Sequence, residues 1–151
     1  MKKLFVLLGI AMLLSSCVEP RPMLYNWGYK SYSQNASEYE SLLYENYHTQ
    51  SPESVCALLC QYEYMVTHPG GQRGIIPPGI CAEYGYLLLS PDTPTTFLNH
   101  ATKKQKETFG TLGDYSMSFR EKGLEMFQRE MELYPESTVF IQPLIKKFSQ
   151  Q

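Results

Sequence analysis

An all-α domain is predicted by three features: apolar residues recurring at intervals of three and four, helix-starting and helix-stopping residues bounding those stretches, and no alternating run long enough for a sheet. At 151 residues the chain has room for one domain or a short stack of helical repeats, and too little for a two-domain enzyme. It is 43% apolar and 19% charged, which excludes a disordered acidic tail and a collagenous fibre. A formal charge of −2 gives no electrostatic reason to expect nucleic acid as a partner.

Lys2 and Lys3 form a basic start, and Leu4 to Leu14 is an unbroken run of apolar or small residues ending at Ser15-Ser16-Cys17. Eleven residues rise roughly 16 Å as a helix, about half of a ~30 Å bilayer core, so the run predicts a secretory signal rather than a span. Leu14-Ser15-Ser16-Cys17 resembles a bacterial lipobox, an apolar residue and two small ones before the cysteine that is acylated. The expected divisions are therefore a signal peptide over 1–16, a lipid anchor on Cys17 with a tether over 17–34, and one helical domain over 35–151. Acyl chains contributing ~0.8 kcal/mol per buried methylene would hold such a protein on a membrane. The thirteen Lys and Arg lose Lys2 and Lys3 on processing, leaving eleven against fifteen acids, a formal charge of −4. Val18, rather than an aspartate, follows the lipid site, which is the default for sorting to the outer membrane in enterobacterial-type systems.

The tether carries Pro20, Pro22 and Gly28 and ends in an aromatic cluster, Tyr25 to Tyr32, expected to dock on the folded body. Ser37 and Glu40 have the spacing of a capping box, and Tyr39, Leu42, Leu43 and Tyr47 follow on one face, predicting a helix over 37–48. Ser51-Pro52 starts the next, with Val55, Leu58, Leu59, Tyr62 and Val66 as its stripe and Gly70-Gly71 as its stop. After a loop over 69–79, Pro77-Pro78 is expected to initiate a helix bearing Ile80, Tyr84, Leu87 and Leu88. Residues 95–109 read as helical with a solvated face at Thr102 to Glu107. A helix over 114–134 carries Leu124, Phe127, Met131 and Tyr134 and stops at Pro135; a last one, 137–148, is expected to kink or restart at Pro143.

Cys56, Cys60 and Cys81 remain after Cys17 is acylated. Cys-x-x-x-Cys puts two thiols a turn apart, but His48, His68 and His100 lack matching spacing, so no metal site is expected. In an oxidising compartment Cys81 is expected to bridge to Cys56 or Cys60, the other reading being small buried hydrophobes. Gly70-Gly71-Gln72-Arg73-Gly74 has no Lys-Ser/Thr and no preceding strand, so it predicts a loop and no phosphate cradle. Glu121, Glu125, Glu130, Glu132 and Glu136 read as carboxylates on a solvated face. No catalytic residue and no cofactor are predicted.

Two blocks, Ile76-Pro77-Pro78-Gly79-Ile80-Cys81-Ala82-Glu83-Tyr84-Gly85-Tyr86-Leu87-Leu88-Leu89 and Gly123 to Ser137, together with the lipobox and Tyr25-x-Trp27-Gly28, resemble a family of short proteobacterial lipoproteins of tetratricopeptide-like fold and no assigned function. The resemblance implies helical hairpins, with Tyr84-Gly85-Tyr86 as a packing face, Gly123 at a small-residue crossing, Phe127 as the packing aromatic and Pro135 as the closing proline. Residues 90–119 are an insertion relative to that pattern. The resemblance further implies a place in an envelope assembly, in association with a curli-export-pore-like lipoprotein. The expected function is a lipid-anchored helical adaptor or accessory subunit of an envelope complex on the periplasmic face of the outer membrane. Its partners would be the membrane, through the lipid, and other envelope proteins, met by Tyr29, Tyr32, Tyr44 or Tyr86. The alternative is a periplasmic cell-wall enzyme or enzyme inhibitor.

Overall fold

The computed structural model describes residues 23–28 and 38–150; the signal segment, Cys17, Tyr29 and Tyr32 lie outside the described residues. Within them the chain is all-α, with helices α1 Glu38–Thr49, α2 Pro52–Thr67, α3 Ile80–Leu88, α4 Thr93–His100, α5 Lys103–Phe109, α6 Ser116–Leu133 and α7 Thr138–Ser149. A 3-10 turn at Pro135–Ser137 precedes α7. The β pairing among the described residues is an isolated antiparallel bridge, Gly70 to Ile75.

Local chemistry sets the helix starts. Ser51 Oγ accepts the Ser54 N–H at 3.1 Å, and Pro52 sits in the first turn of α2, where its missing N–H costs nothing. The single helix predicted over 95–109 is two. Thr102 Oγ1 accepts the Gln105 N–H at 3.3 Å while Gln105 Oε1 accepts the Thr102 N–H at 2.8 Å, a capping box that satisfies a new helix start and turns the chain at Ala101. α5 buries no residue, in keeping with its charged sequence, although Lys106 Nζ reaches back to the Leu98 carbonyl at 2.6 Å. α7 runs unbroken through Pro143, where a restart or kink was expected. The proline removes one bond, to the carbonyl of Val139, in an exposed first turn that water can satisfy.

α2 lies between α1, α3, α4 and α5, and α3 lies in turn along α6. The larger core gathers Leu58, Leu59 and Met65 of α2, Ile80, Tyr84 and Leu88 of α3, and Phe97, Tyr115, Phe119 and Met126. A second core joins Leu89, Phe127, Ile141 and Phe148. The α3–α6 crossing is at two glycines. A Cβ on Gly85 would lie 2.8 Å from the Gly123 carbonyl oxygen and 2.9 Å from Phe127 Cδ1, and one on Gly123 would lie 2.6 Å from Leu89 Cγ. With no Cβ on either side, the two backbones touch.

Two expectations about packing change. The resemblance implied Tyr84-Gly85-Tyr86 as the packing face and Phe127 as the aromatic, and of these three Gly85 meets Phe127. Tyr84 instead stacks on Tyr62 of α2 at 5.6 Å, while Phe127 enters the second core beside Leu89 and Phe148. Successive residues on a helix face about 100° apart, so Tyr84 points to α2 and Gly85 to α6. The insertion at 90–119 is part of the main core. Phe97 lies 5.0 Å from both Phe109 and Tyr115 and 5.4 Å from Phe119, ring edge to ring face, which folds α4 and α5 onto α2.

Candidate functional site

Tyr62-Glu63 of α2 and Glu83-Tyr84 of α3 exchange bonds reciprocally. Tyr62 Oη donates to Glu83 Oε2 at 2.8 Å, and Tyr84 Oη donates to Glu63 Oε2 at 2.7 Å. Tyr39 of α1 adds a second donor to Glu83 Oε2 at 2.6 Å, and Lys122 Nζ of α6 donates to Glu63 Oε1 at 2.6 Å. Two carboxylates thus tie four helices. The rings form a ladder: Trp27 on Tyr39 at 6.3 Å, Tyr39 on Tyr62 at 5.7 Å, and Tyr62 on Tyr84 at 5.6 Å. Burial pushes the hydroxyls of Tyr39, Tyr62 and Tyr84 above the usual phenol range, and the facing carboxylates push them further. At neutral pH these phenols are donors, and their chemistry is to hold helices in register.

Of the aromatic cluster expected to dock on the folded body, the described part, residues 25–28, does so. Gln72 N–H donates to the Met23 carbonyl at 2.9 Å and Arg73 N–H to the Leu24 carbonyl at 3.0 Å. Arg73 also donates to Tyr25 Oη at 2.7 Å, and Asn26 Nδ2 to the His68 carbonyl at 3.1 Å. Gly28 is buried at φ +74°, a left-handed conformation that favours glycine, and a Cβ there would push aside the end of the Gln61 side chain.

Glu130 requires a correction. Expected among solvated carboxylates, it is 2% exposed and accepts the Gly79 N–H at 2.8 Å and the Ala82 N–H at 3.3 Å. It therefore caps α3, and this cap together with left-handed Gly79 (φ 87°) starts the helix at Ile80 rather than at Pro77-Pro78. Burial raises its carboxyl above the usual range, with the backbone donors pulling the other way. Spacing held the signal: Gly123, Phe127, Glu130 and Tyr134 fall on one helical face. Nearby, Tyr134 Oη donates to the Ile76 carbonyl at 2.6 Å and fastens the loop before α3 to the end of α6.

The expected bridge from Cys81 to Cys56 or Cys60 is not formed; all three thiols are free. Cys56 Sγ points at the Thr96 carbonyl of α4, 4.0 Å away, and Cys60 lies beside Thr108 of α5. Cys81 looks the opposite way, towards Glu130 of α6. Burial pushes the thiols up, Cys56 and Cys60 to about 11 and Cys81 to about 12, so at neutral pH they behave as small apolar groups. Among the described residues no three His, Cys, Asp or Glu are placed to hold a metal ion.

Of the tyrosines singled out for partner contact, Tyr44 on α1 is 68% exposed and rests 4.2 Å from the His48 ring. Tyr86 on α3 is 51% exposed and meets Phe148 edge-on at 6.0 Å, so it is not the packing residue that the hairpin pattern implied. Two clefts flank α1. One, about 440 Å³, includes Leu42, Cys60, Gln61 and Tyr64 in its walls. The other, about 470 Å³, lies between α1, α3 and α7 with Leu43, Tyr62, Glu83, Tyr86, Leu87 and Leu144 in its walls. Among the described residues no helix is long and apolar enough to cross a membrane. No protein-family model, no curated protein and no solved structure matches the chain.

Proposed function

We propose that the chain is a lipid-anchored helical adaptor or accessory subunit of a cell-envelope protein complex, tethered through Cys17 to the periplasmic face of the outer membrane. The observation that carries this reading is α1. A helix of twelve residues in water depends on tertiary packing, yet α1 buries only Tyr39. Its Tyr44 and Tyr47 rings stand 68% and 78% exposed, and such rings supply rigid contact area at low entropic cost in protein interfaces. Tyr39 and Glu83 fix the start of α1 to the body, so the tyrosines are presented on a positioned helix. The test is photo-crosslinking in intact cells from a photoreactive residue at exposed position 48 of α1, beside both rings, in the chain with Tyr44 and Tyr47 and in Tyr44→Ser/Tyr47→Ser. A discrete foreign protein is expected, with its capture at wild-type level lost in the double variant while melting stays unchanged. If the same protein is captured equally by the double variant, α1 is not the docking helix.

A further inference from the structure

We propose that the outward face of α7 rests on the bilayer surface that holds the lipid of Cys17, with Val139 and Phe140 at the headgroup boundary and Lys146 and Lys147 over anionic headgroups. This contact rests on the acylation of Cys17, and it is independent of what docks on α1. Cys17 lies six residues before Met23, a stretch that spans at most about 20 Å when fully extended. The Met23 carbonyl is already fastened to the body by the Gln72 N–H, so an acylated chain keeps this end of its folded domain within that distance of the bilayer. Tyr25 lies beside Tyr134 at the end of α6, whose hydroxyl also reaches the Ile76 carbonyl. Val139 and Phe140 follow Tyr134 through the 3-10 turn and the first turn of α7, about 10 Å of rise. The tether therefore meets the body beside the start of α7.

α7 has a different composition on each side. Ile141 and Phe148 are buried, and Leu144 and Ile145 pack against the same second core. At 100° per residue, Val139, Phe140, Pro143, Lys146 and Lys147 fall together on the opposite side, all exposed. Val139 and Phe140 are 73% and 75% exposed, adjacent large apolar residues left in water. The lysines follow two turns later, and α7 contains no acid; Glu136 lies in the turn before it. Alone among the described helices, α7 combines exposed large apolar side chains with cations and no acid. α5 is also basic, but none of its large apolar residues is exposed, and α1 exposes two tyrosine rings among three glutamates. An exposed stripe of aliphatic, aromatic and lysine side chains suits a helix lying in the plane of an anionic interface. Two apolar side chains and two lysines hold a free protein on a bilayer only weakly. On a chain already carried there by its lipid the contact is intramolecular, and a weak one is enough to fix which face looks at the membrane.

The test places the full acylated chain in vesicles of phosphatidylethanolamine and phosphatidylglycerol that contain a phospholipid with a photoreactive acyl chain. Lipid adducts are mapped by mass analysis, and the acyl group on Cys17 is read in the same digest. Adducts are expected on residues 138–149 and not on α1. Val139→Ser/Phe140→Ser is expected to lower them about tenfold or more, with melting unchanged and the chain still sedimenting with the vesicles through its lipid. Lys146→Gln/Lys147→Gln is expected to lower them about fivefold, and replacing phosphatidylglycerol by phosphatidylcholine should reproduce that loss in wild type and add nothing to it in the lysine variant. An acylated chain with no adducts on α7, equal labelling of α1 and α7, or full labelling of Val139→Ser/Phe140→Ser would overturn the proposal and leave the anchor standing. Capture of a protein, foreign or a second copy, by a photoreactive residue at position 140 in intact cells in place of lipid would do the same. If Cys17 carries no acyl group, the anchor reading falls and this contact falls with it.

Discussion

Glu130→Ala removes a buried cap and nothing else of comparable size. The Gly79 and Ala82 N–H groups lose their acceptor at the base of α3, which is held between the two cores, so water reaches them poorly. A buried donor left without a partner costs about 1–3 kcal/mol, and loss of a helix cap about 0.5–2 kcal/mol. We expect about 2–4 kcal/mol for the pair, a lowering of the melting temperature by roughly 10 °C in a domain of this size. Glu130→Gln separates charge from shape. The folded-state carboxyl is raised above its unfolded value by burial, so the native chain holds its proton to higher pH than the unfolded chain. Its contribution to stability is therefore fully present below the unfolded pKa, is lost as pH rises through the folded pKa, and stays constant above it. Urea unfolding of wild type and Glu130→Gln from pH 3.5 to 8 should show wild type losing stability relative to the glutamine variant as pH rises. If Glu130→Ala unfolds like wild type, the carboxylate is not the cap. If the difference between wild type and Glu130→Gln does not change with pH, the burial argument fails.

Other outcomes follow from the packing and the sequence. Phe127→Ala, fully buried against Gly85, should cost about 3–5 kcal/mol in thermal or chemical unfolding, whereas Lys104→Ala on exposed α5 should stay within about 0.5 kcal/mol. Alkylation of the denatured, unreduced chain should label Cys56, Cys60 and Cys81 alike, since all are free; a blocked pair would show that a bridge forms. In the native protein Cys60, which lines a cleft, should react before the buried Cys56 and Cys81. Metabolic labelling with a fatty acid should mark wild type and leave Cys17→Ala unlabelled; label on the variant would refute the lipobox reading.

The helices legible in the sequence are those whose apolar stripe is long and whose ends carry their own chemistry. Ser51-Pro52 marks α2 because the cap and the proline act within four residues, and the periodicity of Leu124 and Phe127 marks α6 because one face must leave water. The break between α4 and α5 was local as well, since Thr102 and Gln105 form a capping box three residues apart, but the surrounding charge masked it. The start of α3 was not local. Its cap is Glu130, fifty-one residues from Gly79, and two prolines nearer in sequence offered a false start. Separation in sequence also hid the exchange of Glu63 and Glu83 with Tyr84 and Tyr62, whose partners lie twenty-one residues apart on different helices.

By itself, then, the sequence determined the all-α class and most helix bodies. These depend on periodicity and on bonds or stripes that neighbouring residues complete. Tertiary structure alone decided which carboxylates are buried, where the thiols point and what the 90–119 segment does. A glutamate is equally polar on any helical face, and it becomes a cap or a helix clamp only when distant N–H or phenol donors arrive to offset its loss of water. Likewise a cysteine's partner depends on helix azimuth: Cys56 faces α4, Cys60 α5 and Cys81 α6, three directions that composition and compartment do not encode.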